Sequence, residues 1–89
     1  MKVTLYIFKI HRAFVEDGAD AYIVRVHQCG SPKSRWKGVD SILELDYAIR
    51  PVFGLLQWDE VESALDTKGG YQKDDEIGEF EYHQLFPGT

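Results

Sequence analysis

Apolar residues crowd the first dozen positions of the chain. In residues 2–12 (KVTLYIFKIHR) Val3, Leu5 and Ile7 hold one parity and Tyr6, Phe8 and Ile10 the other, which predicts a strand apolar on both faces. Such a strand belongs at the centre of a sheet or under cover on both sides. After Ala13–Phe14–Val15, the run Glu16–Asp17–Gly18–Ala19–Asp20 supplies Asp-Gly turn chemistry for a hairpin. Residues 21–29 (AYIVRVHQC) return as its second strand, with Tyr22, Val24 and Val26 on an apolar face and Ile23, Arg25 and His27 on a mixed one.

The period then changes. Gly30 to Gly38 reads as a basic loop broken by Pro32, with a short edge strand at Arg35–Trp36 as the alternative. Asp40 is the N-cap candidate for the main helix, whose apolar positions Ile42, Leu45, Ile49, Val52, Phe53 and Leu56 recur at helical spacing. Pro51 should kink or loosen it near Ala48–Arg50, and Gly54 weakens its last turn. Asp59 with Glu62 three residues on reads as a capping-box start for a second helix carrying Val61, Ala64 and Leu65, stopped by Lys68–Gly69–Gly70. Residues 71–76 (YQKDDE) read as a solvated loop, and 77–86 as a third strand that packs through Phe80, Tyr82 and Leu85. The predicted fold class is α+β: a small antiparallel sheet, made of the N-terminal hairpin plus a C-terminal strand, packed on one main helix and a short second helix in a single domain over 1–89. One helical cover leaves the other sheet face to water or to a partner, so apolar surface there would mark an interaction site or a dimer interface.

Composition narrows the setting. The chain of 89 residues has one cysteine, Cys29, so no internal disulfide can staple it, and a free thiol fits a reducing cytoplasm. No run of about 18 apolar residues is present to span a bilayer. Thr4, Lys9 and His11 interrupt the N-terminal apolar stretch and no small-residue cleavage site follows, which argues against a signal peptide.

Charge is divided along the chain. Residues 1–38 hold seven basic and three acidic side chains, residues 39–89 three basic and twelve acidic, and the net charge is −5. Asymmetry of this kind bears on partners and association rate. Two sets of residues stand out. The acidic one comprises Trp58, Asp59, Glu60, Glu62, Asp74, Asp75, Glu76, Glu79 and Glu81, a surface suited to a basic protein partner, with Trp58, Tyr71 or Tyr82 as apolar anchor. The basic one is Lys33, Arg35, Trp36 and Lys37, where three cations flank an indole in the manner of an anion-binding or base-stacking loop. Nucleic-acid binding normally shows a broader basic footprint, so nucleic acid is the lesser expectation.

Specific chemistry finds little support. A zinc site would draw on His11, His27, His83 and Cys29, with His11 across a three-residue hairpin from His27, but the spacing fits no recurrent pattern. Cys29 sits two residues from His27 without nucleophile-elbow sequence, and neither GxxxxGK[ST] nor GxGxxG occurs. No catalytic residue, metal or cofactor is therefore expected, and the chain is read as a non-enzyme.

Gly38–Val39–Asp40–Ser41–Ile42–Leu43–Glu44–Leu45 with Ala48–Ile49, set between a hairpin and Ile77–Gly78–Glu79–Phe80, resembles a group of short uncharacterised bacterial proteins. In those a G-D-S-x-x-A-L-x-x-A-L helix follows a hairpin, and a final strand carries a glycine and an aromatic. The chain departs from the pattern at Glu44–Leu45, where Ala-Leu is usual, and at Pro51. The resemblance implies an α+β fold and no assigned reaction. In size and charge the chain is also similar to toxin-immunity and phage anti-defence proteins. The leading expectation is thus an intracellular inhibitor that occludes a basic toxin, nuclease or defence effector. A small nucleic-acid-associated accessory protein and a ligand-sequestering protein with a sheet–helix pocket are the alternatives, and homodimerisation is open.

Overall fold

A computed structural model describes residues 1–11 and 20–87, with His11 and Asp20 described in backbone alone. Among these residues four strands and three helices follow in the order β1 (Lys2–His11), β2 (Asp20–Gln28), β3 (Ser34–Val39), α1 (Ile42–Phe53), α2 (Trp58–Lys68), β4 (Gly70–Glu76) and α3 (Glu79–Gln84). The sheet is antiparallel throughout in the order β3-β2-β1-β4, so β1 is central, as its two apolar parities require. The α+β class holds, with a fourth strand and a third helix. The predicted hairpin turn at 16–20 lies outside the described residues except for Asp20, which opens β2.

The parity of β1 divides the molecule. Val3, Leu5 and Ile7 are fully buried with Val24 and Val26 of β2, under Leu45, Ile49 and Phe53 of α1 and Val61 and Leu65 of α2. All three helices contribute to this one core, whose last part comes from Ile77, Tyr82, Leu85 and Phe86. The opposite parity, Tyr6, Phe8 and Ile10, faces away from it, and Phe8 and Ile10 remain 40% and 41% exposed.

Several elements differ from the sequence expectation. Residues 71–76 are a strand, β4, because the free edge of β1 accepts them in register, with Ile7 opposite Tyr71, Leu5 opposite Lys73 and Val3 opposite Asp75. Residues 77–86 hold a helix where a strand was expected: Tyr82 is buried, whereas Phe80, expected to pack beside it, is 76% exposed. The loop at 30–38 is short, and its second half is β3, the edge-strand alternative extended to Val39. Ser41, not Asp40, caps α1, its hydroxyl accepting from the Glu44 N–H at 3.1 Å while the Glu44 carboxylate accepts from the Asp40 N–H at 2.9 Å. Pro51 falls in the last turn of α1, where its missing N–H forgoes only the bond to the carbonyl of exposed Tyr47. Leu56 is buried but lies beyond the helix.

Gln57 precedes α2 without a side-chain cap, so the Asp59–Glu62 capping box is not formed, and Asp59 and Glu60 favour the first turn through the helix dipole instead. Gly69 ends α2 at φ 75°, a left-handed turn, and returns the chain directly into β4. This tight reversal lays α2 along β4, and α3 crosses from the end of β4 to the start of β3.

Candidate functional site

Three surfaces are assembled from these elements. The first is the acidic side. Asp59, Glu60 and Glu62 are exposed on α2, which overlies β4, and Asp74 and Glu76 are exposed on the opposite, helix-free face of β4, so the acidic residues wrap this edge of the sheet. The Tyr71 phenol titrates above its usual range, first because it is partly buried and second because the Glu60 carboxylate opposes its ionisation. Asp75 is drawn inward, accepting from the Glu76 N–H at 2.8 Å and lying 3.8 Å from the Lys73 ammonium. Glu79 and Glu81 stand apart on α3, past the end of β4. The proposed anchors change: Tyr82 is core and unavailable, while Trp58 and Tyr71 are half-buried against the core.

The second surface is the helix-free face of the sheet. The Tyr6 and Phe8 rings lie parallel with centroids 6.0 Å apart, the Arg25 guanidinium sits 5.8 Å from the Tyr6 centroid, and Trp36 is 59% exposed beside Arg25 in the strand register. At one end Thr4 donates to the Asp74 carboxylate at 2.8 Å and meets the Cys29 sulfur at 3.5 Å. Cys29 is exposed, and its polar neighbour is the Thr4 hydroxyl.

The third surface lies along β3. Strand alternation separates the residues that looked contiguous in sequence: Arg35 and Lys37 share the register face of Val26 and Val24, and Trp36 that of Arg25. At the strand edge Lys33, Arg35, Trp36 and Lys37 join Tyr82 and His83 of α3 around an open groove of about 890 Å³. Its lining contains no carboxylate, and the Arg35 guanidinium rests 6.0 Å from the Tyr82 centroid. A second depression of about 600 Å³ shares Lys37 and Gly38 and continues to Leu43 and Tyr47 of α1.

The strand register separates two of the candidate zinc ligands. His27 lies opposite Thr4, and His11 opposite Asp20. Among the described residues no three histidine, cysteine or carboxylate side chains converge to hold a metal. Nor is any helix there long and apolar enough to cross a membrane. The space between sheet and helices is filled by the core, so the grooves are peripheral to it.

Leu43 and Tyr47 escaped the sequence reading of the site, and His83 entered it only as a candidate zinc ligand. His83 was assigned to a strand. Leu43, Tyr47 and Pro51 form an i, i+4, i+8 stripe beside the core stripe of α1, a signal visible in sequence but overshadowed by the buried one.

Comparison with known protein families, characterised proteins and solved structures finds no match to the chain.

Proposed function

We propose that the chain is a non-enzymatic binding protein of the inhibitor type, an immunity or anti-defence protein that occludes a basic partner in the cytoplasm through its acidic side. The observation that carries this reading is the adjacency of α2 and β4, which brings acidic side chains to both faces of that edge of the sheet: exposed Asp59, Glu60 and Glu62 on the helix side, and exposed Asp74 and Glu76 on the helix-free side. A flank of one sign accelerates encounter with an oppositely charged protein and supplies a polar rim. Half-buried Trp58 and Tyr71 border it and offer aromatic area at low entropic cost. A toxin, nuclease or defence effector built to attract phosphate is the class of partner with the required charge.

The experiment is capture of a partner on the tagged full chain, followed by stopped-flow association and assay of the partner's activity. A basic partner should be inhibited. Reversing exposed Glu60, Glu62 and Asp74 to lysine should slow association about tenfold or more at low salt, with the difference collapsing near 1 M salt, where the Debye length is about 3 Å. An association rate indifferent to the reversals, or a partner whose activity is unaffected, refutes the reading.

A further inference from the structure

The groove along β3 has properties that an acidic-side inhibitor does not need. β3 is the terminal strand of the sheet, so one edge of its backbone pairs with β2 and, among the described residues, no strand pairs with the other. An unpaired edge presents a row of N–H and C=O groups ready for an added strand. Lys33, Arg35 and Lys37 occupy alternate positions, so their stems repeat at about 6.7 Å, the spacing of same-face side chains on any extended chain. Among the described residues these three cations make no ion pair, although the molecule carries a net charge of −5. His83 of α3 lines the groove as well, with its Nε2 4.0 Å from the Glu79 carboxylate. Beyond Lys37 the wall changes character. There the continuing depression is flanked by Leu43 and Tyr47, 78% and 84% exposed, with Asp40 and Glu44 beside them.

We propose that the outer edge of β3, walled by α3 and the start of α1, docks an extended acidic peptide segment of a partner protein, which adds to the sheet as a fifth strand. Its alternate carboxylates meet Lys33, Arg35 and Lys37. An uncharged apolar residue at its end packs on Leu43 and Tyr47, where Asp40 and Glu44 exclude a further acid. A peptide is favoured over nucleic acid because only a peptide backbone completes the hydrogen-bond ladder of the edge. The groove lies on the opposite edge of the sheet from β4, and its test requires no basic partner.

The test is fluorescence anisotropy of the full chain with labelled heptapeptides. One alternates Thr and Glu and ends in Leu, a second has Gln for each Glu, and two more carry N-methyl groups on one or the other alternate set of amides. The acidic peptide should bind. The Gln peptide should bind about tenfold or more weakly, one of the two N-methylated peptides should lose binding, and so should a Lys33→Glu/Lys37→Glu variant. Both substitutions are at exposed positions, so an unchanged thermal melt should accompany the loss. Equal binding of both N-methylated peptides overturns strand addition, as does failure of the acidic peptide to bind. Displacement by heptathymidylate at matched concentration reassigns the groove to nucleic acid. Sedimentation that shows self-association, abolished in the double variant, assigns it to the β4 edge of a second copy.

Discussion

Replacing Arg50 by Ala should destabilise the fold by about 2 kcal/mol, whereas replacing its partner Asp46 by Ala should cost less than about 0.5 kcal/mol. Asp46 flanks the buried stripe of α1 and its side chain is only 10% exposed, while the Arg50 side chain, one turn on and paired with it, is 57% exposed. One carboxylate oxygen, Oδ1, is buried without a hydrogen-bond partner, so the guanidinium is the group that compensates the charge. Breaking a fully buried pair costs about 3–5 kcal/mol and an exposed one about 0–1, and a pair with one member in each environment falls between. Removing Arg50 strands the carboxylate, but removing Asp46 leaves a guanidinium that water solvates. Ala also improves helix propensity at position 46. In a domain of this size 2 kcal/mol corresponds to a fall of about 8–16 °C in Tm. Urea denaturation of the two single variants and the double variant forms the cycle, and the double variant should match Asp46→Ala. Equal losses from the two single substitutions, or an Arg50→Ala variant within about 0.5 kcal/mol of the parent, would refute this asymmetry.

Two further outcomes follow from the geometry. Tyr71 should titrate above 10.0 in an absorbance titration at alkaline pH, and Glu60→Gln should lower its midpoint. The folded chain then holds the phenolic proton more tightly than the unfolded one, so its contribution to stability is complete below the ordinary tyrosine range and is lost as pH rises through the raised value; a stability that grows with pH in that interval contradicts this. Gly54 ends α1 at φ 70° and ψ −163°, a region that only glycine occupies readily, and a Cβ there would meet open space. Gly54→Ala should therefore cost about 1–3 kcal/mol through backbone strain alone, and a neutral result in chemical denaturation would show that the turn relaxes without penalty.

The elements legible in sequence are those whose burial dictates their composition. β1, β2 and the core stripe of α1 carry their apolar periods openly, and the stop at Gly69 was recognisable from its position. β4 was not, because an edge strand half-covered by α2 needs only Tyr71 for the core and tolerates Gln72, Lys73, Asp74 and Asp75, the composition of a loop. Its identity is set by the free edge of β1, a non-local fact. The tail misled for a different reason. Phe80 and Tyr82 share strand parity, but the residues that become buried are Ile77, Tyr82, Leu85 and Phe86, whose later spacing is helical, and Glu81 reaches back to the Gly78 N–H at 3.5 Å. That Gly-x-x-Glu start was available to a sequence reading. The acidic side was legible as a list of residues, whereas its division between the α2–β4 flank and α3 depended on topology. The cations at 33, 35 and 37 were visible as a cluster, but that they lie along an unpaired edge, with Trp36 turned the other way, follows only once residues 34–39 form a strand.

The chain has two tryptophans, and the fold distributes them between its opposite edges: Trp36 is exposed on β3, and Trp58 is half-buried at the start of α2, beside the acidic flank. Each proposed surface therefore contains its own intrinsic fluorophore in a distinct solvent environment. Trp36→Phe and Trp58→Phe variants would give single-reporter proteins, in which iodide or acrylamide quenching follows one edge without labelling the other. Occupation of the β3 groove and engagement of the acidic flank become two separable optical signals, so simultaneous or mutually exclusive binding can be read from two conservative single-tryptophan variants of one small protein.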